Sequence, residues 1–213
     1  MMDETQRGLW LAERAGRLTA SNMAAAMDFL KTGKPSAART TLLKNILAER
    51  MTDESARHYV SPAMEHGLAY EDEAKMAYET ATGTLITDPW TVSHFGIFHH
   101  PRIEYFAASP DGCIDDDGLI ETKCPQTSTH LGWLQDGVVP EQHKPQMLAQ
   151  LACSGRKWCE FVSYDPRIKT PHLRLFIRRF TPTAEELANV EAAASQFLLE
   201  VDRAWELLHT VAA

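Results

Sequence analysis

Hydrophobic and polar positions split the chain into helical stretches toward both ends and a strand-rich middle. Across residues 38 to about 51, Leu42, Leu43, Ile46 and Leu47 recur at the three- and four-residue spacing of an amphipathic helix. A longer helix is expected over Pro62–Thr82, ended by Gly83, with Met64, Leu68, Ala74, Met76 and Tyr78 as its apolar surface. The last helix, residues 184 to about 209, sets Leu187, Val190, Ala194, Phe197, Leu198, Val201 and Trp205 along one stripe. At the start, Leu9, Trp10 and Leu11 ahead of Glu13 and Arg14 predict a short helix that Gly16 ends. Thr19 or Ser21 is placed to cap a second short helix beginning at Asn22.

The middle of the chain reads differently. Residues 84–87, 91–98 and 105–108 are rich in β-branched and aromatic side chains and predict strands, as do 158–164 and 173–179. Two further helices are expected, one from Pro125 through Leu134 with Trp133 in the core, the other from Pro140 to Gly155 with Gln146 and Gln150 on one face. Leading helices, a central mixed sheet and covering helices make an α/β fold, expected as a single domain over residues 1–213.

Between these elements, residues 109–125 form a hairpin pattern: a short strand, an acidic turn closed by Gly118, then a second strand. Alternation puts Glu121 and Lys123 on one face of the second strand and Thr122 on the other. If Asp115, Asp116 and Asp117 form a three-residue loop, Asp111 stands opposite Glu121. A two-residue loop would put the two on opposite faces unless a bulge intervened. Two close carboxylates repel unless a divalent cation lies between them, and oxygen-only donors suit Mg²⁺ or Mn²⁺. A neighbouring lysine can steer a metal-bound water and offset charge on a phosphate transition state. These parts serve metal-dependent phosphodiester hydrolysis; the competing reading is an acidic surface turn with an incidental Glu/Lys pair.

Composition narrows the picture little. The 213 residues are 44% hydrophobic and 23% charged, enough for one sizeable core, and the net charge of −8 argues against a uniformly basic DNA-binding face while leaving room for a local one. Residues 1–7 lack the basic start and apolar run of a signal peptide, and no apolar run approaches a membrane span, so a cytoplasmic protein is expected. Cys113, Cys124, Cys153 and Cys159 form no CxxC pair and are read as reduced, mostly buried thiols, without the local grouping an iron–sulfur cluster needs. His94, His99 and His100 suggest zinc, but adjacent strand residues point to opposite faces, and that reading is set aside. Lys31 and Lys34 lie in a basic connection and are candidates for DNA backbone contact.

Pro110-Asp111, then Glu121-Thr122-Lys123 after a hairpin, resembles the PD-(D/E)xK nuclease superfamily. The flanks, Ser109-Pro110-Asp111-Gly112 and Glu121-Thr122-Lys123-Cys124-Pro125, resemble the phage lambda exonuclease and YqaJ-type viral recombinase family within it. Arg14-Ala15-Gly16-Arg17-Leu18-Thr19-Ala20-Ser21 is similar to that family's Arg-x-Gly-x-x-Thr-Ala-Ser, and Gly67-Leu68-Ala69-Tyr70-Glu71 to its Gly-x-x-x-Glu helix. The resemblance implies a restriction-endonuclease-like core and a 5′-to-3′ exonuclease that degrades one strand of linear duplex DNA to mononucleotides, leaving a 3′ tail for recombination. It implies that Asp111, Glu121 and the Thr122 backbone carbonyl hold two Mg²⁺ ions, with Mn²⁺ as a substitute. Lys123 would position the attacking water, and Glu71 and Gln146 would complete the outer ligand set. Arg14, Ser21 and Ser109 would bind the DNA 5′-phosphate. A homotrimer ring and a phage single-strand annealing protein as partner come from the resemblance as well. The alternatives are a structure- or site-specific endonuclease of the same superfamily and a DNA-end-binding module without catalysis.

Overall fold

The computed structural model describes residues 3–55 and 62–211, and the side chain of Met64 falls outside the described residues. Helix α1 (Glu4–Arg14) starts from a reciprocal cap in which Asp3 and Gln6 satisfy each other's backbone N–H groups. Strand β1 (Leu18–Thr19) and the short α2 (Met23–Ala26) lead to α3 (Ala37–Thr52), where the Ser36 hydroxyl accepts from Arg39 N. α4 (Pro62–Thr82) stops at Gly83, whose φ of +72° suits glycine. Next come β2 (Phe98–His99), β3 (Phe106–Ala108), β4 (Gly112–Ile114) and β5 (Gly118–Lys123). α5 (Thr127–Asp136), α6 (Lys144–Ser154), β6 (Trp158–Tyr164), β7 (Leu175–Phe180) and α7 (Ala184–Val211) complete the chain.

Hydrogen bonding divides the strands into two small sheets. β1, β3 and β2 form one, in that order; β4-β5-β6-β7 form the other, with β5 and β6 parallel and the outer pairs antiparallel. Strand alternation then decides which helix each face of the larger sheet meets. Leu119 and Phe161 look into the main core with Met147, Leu151, Val190 and Phe197 of α6 and α7. Ile120 and Val162, on the other face, pack with Tyr78 of α4. The sheet is thus sandwiched, and Glu121 and Lys123 share their face with Leu119, toward α6.

Several sequence expectations are corrected here. Residues 84–87 and 91–98 are not strands. Thr87 makes one isolated bridge to Cys113, Pro89–Thr91 is a single 3-10 turn capped by Asp88, and only Phe98–His99 pairs in a sheet. Their β-branched side chains line a connection instead. Leu68 and Met76 are 61% and 58% exposed, because α4 docks through Tyr70, Ala74, Ala77 and Tyr78. Thr19 precedes a 3-10 turn (Ala20–Asn22) and Asn22 precedes α2, and neither Thr19 nor Ser21 caps α2 with its side chain. Gly118 is needed for space rather than for a turn conformation, since a Cβ there would lie 2.2 Å from the Trp158 indole. Two buried charges in α3 were invisible in the pattern: Arg39 forks onto Glu200 of α7 at 2.6 and 3.1 Å, and Glu49 accepts from Gly16 N at 2.9 Å.

Candidate active site

The register of the hairpin settles the relation between its two carboxylates. Gly112 pairs with Ile120 and Ile114 with Gly118, so Asp115, Asp116 and Asp117 are the three-residue loop, and continuing the ladder sets Asp111 opposite Glu121. Asp115 takes φ +46° at the tip, a conformation that Asp tolerates better than most residues. Arg156, just before β6, holds the loop from behind by donating to the carbonyls of Asp115 (2.7 Å) and Gly118 (2.9 Å). Asp111 itself accepts from the Thr122 N–H at 2.6 Å. The turn length, readable only as a condition in the sequence, is met.

These residues line a cleft of about 550 Å³ that also receives Glu71, Lys123, Gln146, His143, Trp133 and Leu68. Glu121 is fully buried and accepts from three side chains: Lys123 Nζ and Gln146 Nε2 (2.7 Å) on Oε1, and Gln150 Nε2 (2.5 Å) on Oε2. On the opposite helix, Lys75 donates to Glu71 at 2.6 Å. Burial first, and then the Glu121 charge, push Asp111 up to about 6, against the pull of Lys123, Lys75 and the Thr122 N–H. Although burial opposes it, the Glu121 and Asp111 carboxylates raise the Lys123 ammonium, so it is a cation here. Burial, and then the Asp111 charge, raise Glu71 too. Burial and the Lys123 cation push His143 down to about 4, leaving a neutral imidazole stacked on Phe161.

This donor set fits a hard divalent cation. Its candidate ligands are carboxylate and carbonyl oxygens, and Asp111 holds its proton more tightly than an ordinary aspartate, as expected where a positive charge is wanted. Among the described residues no group of three His, Cys, Asp or Glu closes into a metal cage. The stability consequence has a definite sign. An acid whose folded-state pKa is raised favours the fold while protonated, and that contribution is lost as pH rises from about 4 through about 6. With chelator present, Asp111→Asn and wild type should melt alike near pH 4. Above pH 6 the Asn variant should melt higher, by on the order of a few degrees. Thermal melts across that range check this, and a constant gap would refute it.

At the other end of the cleft, α1 presents Trp10 and Arg14 one turn apart. The Arg14 guanidinium lies 4.2 Å over the Trp10 ring, and its Nη2 is 3.4 Å from both Thr19 Oγ1 and Ser21 Oγ. Trp10 Nε1 donates to Ser109 Oγ at 2.8 Å. Burial, partly countered by Glu49, brings Arg14 down to about 10, so it keeps its charge at neutral pH. An anion entering here would offset that desolvation and take over guanidinium N–H groups that now donate to the Thr19 and Ser21 hydroxyls.

The fold therefore gathers Arg14, Ser21, Glu71, Ser109, Asp111, Glu121, Thr122, Lys123 and Gln146 along one cleft. Lys31 and Lys34 do not line it; both are exposed on the connection between α2 and α3. His99 and His100 are accounted for elsewhere, the first by Glu13 at 3.1 Å, the second by Glu191 and the backbone N–H groups of Arg102 and Ile103. Trp10, Lys75 and His143 are site residues the sequence reading did not single out, and Gln150 was placed beside Gln146 only as a polar helix face. For Trp10 and Lys75 a signal existed, since each lies one helical turn from a residue already chosen, Arg14 and Glu71.

A family model described as a YqaJ-like viral recombinase domain matches residues 9–157. Among solved structures, the chain is similar to the alkaline exonuclease LHK-Exo from Laribacter hongkongensis, at 34% identity over 95% of this chain and 96% of that one, with a TM-score of 0.84. A structure of LHK-Exo in complex with dAMP matches at the same identity and coverage, with a TM-score of 0.85. A phage-related exonuclease from Haemophilus somnus shares the fold at 11% identity and a TM-score of 0.62, over 92% of this chain and 96% of that one. No curated protein matches the chain.

Proposed function

The chain belongs to the YqaJ-like viral recombinase domain family, and on that premise we propose that it is a divalent-metal-dependent 5′-to-3′ exonuclease acting on ends of double-stranded DNA. The observation that carries the reading is that one cleft holds both an anion-ready corner at Arg14, Ser21 and Ser109 and the Asp111, Glu121 and Lys123 group. A phosphate anchored at the first and a phosphodiester presented at the second belong to one strand entering from its 5′ end. A relative of 34% identity crystallised with dAMP, which fits release of mononucleotides.

In this reading Asp111, Glu121 and the Thr122 carbonyl would hold Mg²⁺, two ions in full, with Mn²⁺ able to replace it, and such ions would supply water activation and charge stabilisation. Lys123, held as a cation by its neighbouring carboxylates, orients the water and offsets charge as it builds on the phosphate. Gln146 donates to Glu121 from the cleft side, and Glu71, paired with Lys75, stands on the α4 side of the cleft. His143, neutral, adds a polar wall without adding charge. Arg14 grips the end phosphate while Trp10 keeps the guanidinium flat and orients Ser109.

Residues 1–213 act as one nuclease domain, and the protein leaves a 3′ single-stranded tail for recombination. A homotrimer ring around the duplex and a phage single-strand annealing protein as partner complete the reading, on family membership alone. No described helix is long and apolar enough to cross a membrane.

Digestion of end-labelled linear duplex tests the proposal. With Mg²⁺, a 5′ label should be released as mononucleotide at once and a 3′ label retained. With chelator neither should move, and closed circular DNA should stay intact. Release of the 3′ label first, or cutting of closed circles, would replace this reading with its opposite polarity or with an endonuclease.

A further inference from the structure

Gln150 is the least expected residue around the hairpin. It is 0% exposed, sits on α6 among Met147, Leu151 and Cys153, and does not line the cleft. Its Nε2 donates to Glu121 Oε2 at 2.5 Å, while its own Oε1 is buried with no hydrogen-bond partner among the described residues. A buried, unpaired amide oxygen costs about 1–3 kcal/mol, and an apolar side chain of the same length would avoid that cost. The amide cannot turn over to relieve it, because a carboxylate accepts only and must be offered the NH₂ end. So the position carries an unfavourable group whose single interaction is with one carboxylate oxygen.

The two oxygens of Glu121 are treated differently. Oε1 meets Lys123 and Gln146, both of which line the cleft and reach solvent. Among the described residues Oε2 meets only Gln150, from the fully buried side. Lys123 and Gln146 are free to shift when another partner arrives at Oε1; Gln150, packed inside α6, is not. We propose that Gln150 is a positioning residue for the metal-binding reading of this site: it anchors Glu121 Oε2 from the core and so fixes Oε1 toward the cleft as the cation-binding atom. The inference deepens the proposed metal-dependent reaction and rests on it. Hydrogen bonds of this kind to a ligating carboxylate typically change metal affinity 10–100-fold when removed.

The test is Mn²⁺ binding to the full chain without DNA, followed by calorimetry or by the spin resonance of free Mn²⁺. Gln150→Met keeps the volume and removes both the donor and the orphaned oxygen. It is expected to melt within a few degrees of wild type, to bind Mn²⁺ roughly 10–100-fold more weakly, and to recover most of its kcat when Mn²⁺ is raised to match. Gln150→Asn, which keeps an amide but draws it back by one methylene, should show the same loss and serves if the Met variant does not fold. Gln146→Met, whose partner atom is the exchangeable oxygen, should lose more in kcat than in Mn²⁺ affinity. A folded Gln150 variant that binds Mn²⁺ within twofold of wild type overturns the inference alone. A wild-type chain that binds no Mn²⁺ overturns it together with the metal-dependent reading, so the two failures are distinguishable.

Discussion

Asp111→Ala, Glu121→Ala and Lys123→Ala should each lower cleavage of duplex DNA by about a thousandfold or more, with binding to a DNA end largely kept. The three side chains meet at one strand end, where Asp111 and Glu121 stand opposite each other and Lys123 reaches Glu121. In the proposed reaction, losing either carboxylate would remove a metal ligand, and losing the ammonium would remove the positive charge offered to the reacting phosphate. Their structural costs differ. Asp111→Ala frees only the Thr122 N–H and relieves repulsion, whereas Glu121→Ala leaves Lys123, Gln146 and Gln150 without an acceptor. Glu121→Gln is therefore the better probe, because it keeps the volume and one acceptor oxygen. Single-turnover digestion, paired with end binding in chelator, checks the set. A variant at any of the three positions with near wild-type turnover in Mg²⁺ would remove that residue from the site.

Wild type should prefer 5′-phosphorylated over 5′-hydroxyl duplex by roughly tenfold or more, and Arg14→Ala should lose most of that preference. The guanidinium lies 4.2 Å over the Trp10 ring with the hydroxyls of Thr19 and Ser21 at 3.4 Å, the arrangement on which the proposed phosphate contact rests. Arg14→Lys should restore the preference in part, since an ammonium supplies charge without the planar fork. Ser21→Ala and Ser109→Ala should show smaller losses in the same direction. Initial rates for both enzymes on both substrates decide it. Should Arg14→Ala keep the full preference, the end phosphate is held elsewhere.

Much of this site could be read from the chain before any folding was considered. Asp111, Glu121 and Lys123 were legible because a hairpin brings its own strands together: ten residues of separation and a loop of one length set which side chains oppose. The helices 37–52, 62–82 and 184–211 were legible for a similar reason, since burial on one side imprints a helical period on the sequence. Arg14, Ser21, Glu71 and Gln146 were legible only through resemblance; nothing local says that α1, α4 and α6 converge on β5.

Residues 84–98 were misread because β-branched and aromatic side chains favour a pleated, half-buried surface, and here pairing stops at one bridge from Thr87 to Cys113 and at Phe98–His99, with a Pro89–Thr91 turn between. Leu68 and Met76 were misplaced because an apolar stripe states which residues could be buried; packing against the sheet kept the expected Ala74 and Tyr78 and added Tyr70 and Ala77. Gly118 was given a turn role, when its purpose is to let the Trp158 ring lie against β5.

The sequence by itself determined the local chemistry of this protein: which carboxylates share a hairpin, which side chains alternate on a strand, where helices begin and stop. These depend on bonds and spacings within a few residues, and they hold wherever the segment is placed. Only the tertiary structure decided that Gln150 reaches Glu121 from behind, that Lys75 neutralises Glu71, and that Trp10 joins Arg14 to Ser109, ninety-nine positions away. It also raised Asp111 and held Lys123 charged, because those shifts come from burial and from charges on elements far apart in the chain. Desolvation and Coulomb interaction act through space, and the distances that set them do not exist until the helices have closed on the sheet.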